Sequence, residues 1–180
     1  MLIREEQPQD IDQLRALHLS AFADHGHVVV SLVDALRRSL TSEAGLSLVA
    51  CAGDAVVGHA LFSRNLLDAP RRLVDVQVLS PLAVLPGHQR QGIGASLVER
   101  GVATLEERGV PAIFLEGSPD YYARLGFAPA GDHGFRRPSL RIPGAGFQVR
   151  LLAAYEPWMT GTLVYRQTFW DHDLVGVRDS

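Results

Sequence analysis

A chain of 180 residues with 47% apolar and 21% charged side chains can bury a substantial core, which excludes a disordered chain. Its net charge is −3, and no block of Lys or Arg stands out, Arg71-Arg72 and Arg136-Arg137 being only pairs, which excludes the concentrated footprint that nucleic-acid binding needs. No apolar run approaches the roughly 20 residues that span a bilayer, and Met1-Leu2-Ile3-Arg4-Glu5-Glu6 lacks a signal-peptide pattern, so a cytoplasmic protein with no membrane partner is expected.

Leu2 to Glu6 reads as a first strand, closed by Pro8. From Pro8 to about Phe22, the apolar residues Ile11, Leu14, Leu17 and Phe22 recur at near-helical spacing. Asp24-His25-Gly26-His27 is a break, and a second helix is predicted from Val28 to Leu40, although three valines make a poor helical start. Ser47 to Ala52 and Val56 to Ser63 read as strands joined at Gly53-Asp54. Cys51, the one cysteine, lies in the first of these and reads as a packed apolar residue that forms no internal disulfide.

Leu73 to Val84 is a long extended stretch, in which Pro81 loses a ladder donor and predicts an irregular pairing. Gly92 to Arg108 reads as a helix with a stripe of Ile93, Leu97, Gly101 and Leu105, capped by Gly109. Pro111 to Leu115 is a short buried strand, and Pro119 to Leu125 a short helix stopped by Gly126. Phe147 to Leu152 and Gly161 to Phe169 are two further predicted strands, after a loop rich in Gly, Pro and Arg from Gly131 to Gly146. The order β-α-α-β-β-β-α-β-α-β-β predicts a mixed α/β or α+β architecture in one domain, residues 1–180.

The strongest chemical signal is the strand, turn and helix at Leu82-Ala83-Val84-Leu85-Pro86-Gly87-His88-Gln89-Arg90-Gln91-Gly92-Ile93-Gly94. The first turn of a helix carries free N–H groups and a partial positive charge, and glycines let a ligand approach the backbone. Together they suit a pyrophosphate. A P-loop is excluded because the turn has no lysine, and a dinucleotide fingerprint is excluded because Leu97 stands where its third glycine belongs.

Gln89-Arg90-Gln91-Gly92-Ile93-Gly94 resembles the Gln/Arg-x-x-Gly-x-Gly/Ala motif of GNAT-superfamily N-acetyltransferases, and Tyr122-Ala123-Arg124-Leu125-Gly126-Phe127 resembles that family's Tyr-x-x-x-Gly-Phe segment. The segment from Leu79 to Phe127 is similar to a bacterial branch of predicted GNAT enzymes, and the element order matches the family's over nearly the whole chain. The resemblance implies a central mixed, mostly antiparallel sheet flanked by helices, with splayed strands at the cofactor site. It implies acetyl-CoA as cosubstrate, entering between the strand ending near Val84 and the strand from Pro111 to Leu115. The backbones of Leu82, Ala83 and Val84 would lie along the acetyl-pantetheine arm. The amides of Gln89, Arg90, Gln91, Gly92, Ile93, Gly94 and Ala95 would hold the pyrophosphate.

The implied chemistry is direct attack of an amine on the thioester, through a tetrahedral intermediate whose oxyanion takes a hydrogen bond from the Leu82 N–H. Losing one such donor typically costs about 3–4 kcal/mol. The family's acid falls by motif on Tyr122. A phenol near pKa 10 facing a thiol near 8.5 makes full proton transfer uphill by about 2 kcal/mol, so a hydrogen bond to the nascent thiolate is the expected role. Tyr121 competes for this role, since helical neighbours point apart.

The general base is open. Some family members place a Glu four residues before the position of Leu82, where this chain has Val78. Glu116, just after the Pro111 to Leu115 strand, is the nearest carboxylate to the cleft that the resemblance implies, and a water relay involving Ser80 or His25 is the alternative. His25-Gly26-His27 and Asp171-His172-Asp173 lack a metal-site spacing, so no metal is expected. A non-catalytic acyl-CoA-binding module, or a transferase using another acyl-CoA, is the competing function. The acceptor, a small-molecule or protein amine, is not legible; Arg136, Arg137 and Arg141 would suit an acidic group on it. Homodimers are common in the family.

Overall fold

The computed structural model describes residues 1–40 and 45–176. The chain falls into two compact units, one of Met1–Ser63 and Leu79–Thr104, the other of Arg64–Val78 and Leu105–Ser180. The strands form a mixed, mostly antiparallel sheet flanked by helices, as the resemblance implies.

In the first unit, β1 (Leu2–Glu5) is followed by α1 (Ile11–Phe22), α2 (Gly26–Arg37), β2 (Gly45–Ala52) and β3 (Ala55–Asp68). β2 lies antiparallel to both β1 and β3, with Leu2 opposite Cys51 and Val49 opposite His59. Leu14 and Leu17 of α1 pack with Val49, Cys51 and Val56 and with Ala83 of β4 (Leu73–Val84). Cys51 is thus a core residue, as its apolar neighbours predict. The Leu85 N–H donates to the Val57 carbonyl at 2.9 Å and ties the end of β4 to β3.

The second helix starts two residues earlier than predicted, because the 3-10 turn Ala23–His25 runs directly into it. Val29, Leu32, Val33 and Leu36 are all buried, and that burial outweighs the helical cost of β-branching. On α3 (Ile93–Glu107), Ile93 and Leu97 are buried, and Gly101 meets the Phe62 ring so closely that a methyl group would overlap it.

In the second unit, the first part of β4 pairs parallel with β5 (Ala112–Glu116) at Gln77–Ile113 and Val78–Phe114, while β4 itself continues to Val84. α4 (Pro119–Tyr122) runs into a 3-10 turn, Ala123–Leu125, and ends at Gly126 with φ 75°. β6 (Ala128–Pro129), β7 (Phe135–Arg136) and β8 (Phe147–Leu151) follow, and β8 is antiparallel to both β5 and β6. β9 (Gly161–Val164) pairs antiparallel with the end of β3 and parallel with β7. Phe114 stacks on Phe147 and meets Phe135 edge-on, at 5.7 and 5.0 Å between ring centres.

The predicted strand from Gly161 to Phe169 is corrected here. It stops at Val164, and α5 (Gln167–Asp171) follows, with Phe169 buried against Tyr165. A single turn of helix is too short to show its period in sequence. The two-residue strands β6 and β7, the second inside the predicted loop, escape sequence reading for the same reason.

Candidate active site

The predicted cradle is a turn between the end of β4 and α3. A 3-10 turn, Pro86–His88, follows β4, and the His88 N–H donates to the Leu85 carbonyl at 2.8 Å. Arg90 and Gly92 then both take left-handed conformations, with φ of 60° and 81°. The arrangement needs glycine at 92, and at Arg90 it is an outlier of the kind that clusters at functional sites. Two glutamine side chains staple the turn: Gln89 Nε2 donates to the Val84 carbonyl at 3.1 Å, and Gln91 Nε2 to the Gly87 carbonyl at 3.3 Å. The Gln89 N–H donates to the Pro86 carbonyl at 3.4 Å, which leaves the amides from Arg90 onward as the exposed arc of the turn.

Ile93 is buried and anchors the start of α3, while Gly92 and Ser96 are exposed and Gly94 and Ala95 half-buried. The first-turn amides of Ile93, Gly94 and Ala95 have no helical partner and lie between two exposed residues, Gly92 and Ser96. A methyl group added at Gly92 or Gly87 would meet nothing within 4 Å, so the space in front of the turn is clear. On the adjoining strand, Ala83 faces the core beside Leu14 and Leu17, and the half-buried Leu82 and Val84 alternate with it.

Glu116 and Tyr122 both belong to the second unit, at the end of β5 and the end of α4. Glu116 is no solvated strand-end charge. Its Oε1 accepts a hydrogen bond from the Tyr165 hydroxyl at 2.8 Å and its Oε2 one from the Gly176 N–H at 3.1 Å. Burial raises its pKa above the usual carboxylate value, opposed by those two donors and by the Arg141 guanidinium.

Tyr122 and Tyr121 differ in the way sequence left open. The Tyr122 ring lies against Gly117, where a methyl group would sit 2.9 Å from its Cδ2 and closer still to its Cε2. It also meets Phe127 at 5.7 Å. Tyr121 is exposed and touches Tyr122 edge-on at 4.9 Å. Burial, and Tyr121 after it, push the Tyr122 phenol well above its ordinary value, so it is neutral and can only share its proton.

The remaining candidates are dispersed. Val78 is buried, Ser80 is half-buried on β4, and His25 and His27 are exposed at the start of α2. The Arg136 Nε donates to Thr162 Oγ1 at 2.9 Å, and Arg141 pairs with Asp173 at 3.4 Å. The His172 Nδ1 lies 2.8 Å from the Thr168 carbonyl. Among the described residues, no group of three or more His, Cys, Asp or Glu side chains is arranged to hold a metal ion. None of the described helices is long and apolar enough to cross a membrane.

Sequence reading missed a buried polar chain in the first unit. His18 Nε2 lies 2.8 Å from His59 Nδ1, and His59 Nε2 lies 2.8 Å from Ser47 Oγ. Ser47 Oγ donates to Glu6 Oε2, and Arg37 Nε to Glu6 Oε1. Burial opposes ionisation of Glu6, but the nearby His59 ring and the hydrogen bonds from Ser47 and Arg37 prevail and hold its pKa down to about 2. An ionised Glu6 only accepts, so the proton order runs from His18 Nε2–H to His59 Nδ1, from His59 Nε2–H to Ser47, and from Ser47 to Glu6. His18 Nδ1 is then a bare lone pair, buried without a hydrogen-bond partner among the described residues. Burial, then His59 and Arg37, push the His18 pKa down to about 3, and burial likewise lowers that of His59. The available signal was a lone histidine inside the apolar run Val56-Val57-Gly58-His59-Ala60-Leu61, which demands a buried partner.

A family profile described as an acetyltransferase (GNAT) domain matches residues 2–130. The Escherichia coli K12 protein named uncharacterized N-acetyltransferase YhbS is 33% identical over 94% of this chain and 98% of its own length. YjhQ, another uncharacterized N-acetyltransferase of that organism, is 33% identical over 72% of this chain and 71% of its own. The crystal structure of Escherichia coli YhbS in complex with CoA superposes with a TM-score of 0.82 at 31% identity, over 93% of this chain and 91% of that one. A Brucella melitensis GNAT acetyltransferase in complex with acetyl-CoA superposes at 0.72 with 32% identity, over 93% and 97% of the two chains.

Proposed function

We propose, from the premise that this chain belongs to the GNAT acetyltransferase family, that it moves an acetyl group from acetyl-CoA to a primary amine by direct attack. The observation that carries the reading is the first turn of α3 behind Arg90 and Gly92, on the family's motif, in a chain whose structural relatives hold CoA and acetyl-CoA. The amides from Arg90 to Ala95 receive the pyrophosphate, and the exposed positions there suit a charged ligand. The backbone of Leu82, Ala83 and Val84 receives the acetyl-pantetheine arm, with the Leu82 N–H as oxyanion donor. Residues 1–180 act as one catalytic domain, and the single buried thiol suits a cytoplasmic setting.

In the reaction, an alkylammonium first gives its proton to a base, because its lone pair is otherwise unavailable near neutral pH. Glu116 is that base: burial makes it more basic than a surface carboxylate. Two of its roughly four lone-pair sites are engaged by Tyr165 and Gly176, which leaves room for the proton. The amine then bonds to the thioester carbon, the oxyanion forms and collapses, the C–S bond breaks with its electron pair on sulfur, and the extra N–H proton of the nascent amide passes to water. Tyr122 donates a hydrogen bond to the departing thiolate.

The test is release of CoA thiol from acetyl-CoA across a panel of small amines, amino acids and peptides. Acceptor-dependent release supports the reading, whereas binding of acetyl-CoA without turnover on any amine would sink it. The base assignment has its own measurement. Glu116→Gln is expected to cut the rate at neutral pH by about 10²-fold and to approach the parent rate above about pH 10, where the free amine is abundant. An unchanged pH–rate profile removes Glu116 from the mechanism.

A further inference from the structure

We propose that Tyr165 is a positioning residue for Glu116, setting the orientation and basicity of that carboxylate through the hydrogen bond from its hydroxyl. The inference rests on the reading of Glu116 as base, and goes beyond it by assigning a role to the segment after β9.

Three observations converge on it. Tyr165 is 5% exposed, and its hydroxyl reaches Glu116 Oε1 at 2.8 Å across 49 positions of sequence. Its ring is held in place against Phe169, at 5.0 Å between centres, so the hydroxyl is presented by a fixed group. The other oxygen is held from the same segment: the Gly176 N–H reaches Oε2 at 3.1 Å, and the neighbouring Val175 is fully buried. One carboxylate is thus gripped at both oxygens by donors eleven positions apart, at 165 and 176. A buried packing tyrosine needs only some acceptor for its hydroxyl. This one is aimed at the sole acidic side chain at the end of β5, one residue before the glycine on which Tyr122 packs.

Among the described residues, the groups facing Glu116 are the Tyr165 hydroxyl, the Gly176 amide and the guanidinium of Arg141, itself paired with Asp173 at 3.4 Å; the neutral Tyr122 phenol packs on the adjacent Gly117. The Tyr165 hydroxyl stabilises the ionised form of Glu116 and weakens it as a base, while burial strengthens it. Removing the hydroxyl leaves the burial in place. The proton affinity of Glu116 must then rise, and its rotamer loses one of two restraints.

The experiment compares pH profiles of kcat in the full-length enzyme, with the amine acceptor found in the panel. Tyr165→Phe is expected to move the acidic limb upward by about one pH unit and to leave KM for acetyl-CoA unchanged. Site-specific 3-fluorotyrosine at position 165, a stronger donor, should move the limb downward. Titration of the Glu116 carboxyl by 13C NMR reads the same two shifts in the protein without substrate. Glu116→Gln should remove that limb and leave only the rise with free amine toward about pH 10, and adding Tyr165→Phe to it should change nothing further. A limb and a carboxyl titration that stay in place in both Tyr165 variants would reduce Tyr165 to packing and overturn the proposal. A limb that survives at its parent position in Glu116→Gln is a different failure: it removes the base, and the catalytic role of Tyr165 falls with it.

Discussion

Tyr122→Phe is expected to lower kcat by about 10²-fold, the lower end of what a positioned proton donor contributes, while acetyl-CoA affinity stays within about threefold. The substitution removes one oxygen and keeps the ring that packs on Gly117 and Phe127, so folding is spared. The effect belongs in kcat because a hydrogen bond to sulfur matters only as the thiolate develops. The raised phenol pKa sharpens the role: transfer of the proton to a thiolate becomes still more uphill, so the hydroxyl donates and keeps its proton. Tyr121→Phe, on the exposed neighbour, should leave kcat nearly unchanged. Gly117→Ala is the stricter measurement, because a methyl group there drives the Tyr122 ring out of place without touching its chemistry. It should lower kcat in the same direction, and its effect should shrink when Tyr122 is already Phe. Equal losses in both backgrounds would show that Gly117 acts elsewhere.

The second large effect is on stability in acid. His18 is held neutral in the native state, with a pKa near 3, and takes up a proton at about 6.5 when unfolded. Its contribution is therefore fully present above about pH 6.5 and is lost as the pH falls toward 3. Each such histidine adds a slope of about 1.4 kcal/mol per pH unit, and His59 acts in the same direction. Glu6 adds to the loss only lower, as the pH falls from its ordinary carboxylate range through about 2. Between pH 6.5 and 4.5 the expected loss is about 3 kcal/mol or more, a large part of a typical domain's stability of about 5–15 kcal/mol. Urea midpoints across this range measure it. His18→Leu should flatten the profile by about one proton's slope, since the bare Nδ1 it removes is where the native state refuses the proton. An unaltered slope in that variant would show that His18 is not the group being titrated.

The comparison between sequence and structure divides along range. The elements that sequence reading placed well are those whose cause is local: the turn at Gly92, the stripe of Ile93 and Leu97, and the short helix ended by Gly126. Even the turn yielded only its backbone logic, because the stapling of Gln89 to Val84 and Gln91 to Gly87 depends on conformations no spacing displays. What escaped has partners far apart in the chain. His18 meets His59 across 41 positions, and Glu116 meets Gly176 across 60. A carboxylate at a strand end looks the same in sequence whether water or a tyrosine faces it. The choice between Tyr121 and Tyr122 failed for a related reason: direction on a single helical turn is set by what packs beneath it, here Gly117.

Cys51 has a practical corollary. The reaction liberates a thiol, and coloured disulfide reagents that count liberated thiols also count those of the protein. With its one cysteine sealed between Leu14, Leu17, Val49 and Val56, this enzyme is silent in such an assay while it stays folded. Under acid or denaturant the same residue becomes a chemical clock, since its labelling rate reports how often that core opens. One reagent then follows two processes in one cuvette: a fast signal that scales with acceptor and a slow one that scales with breathing of the core around β2.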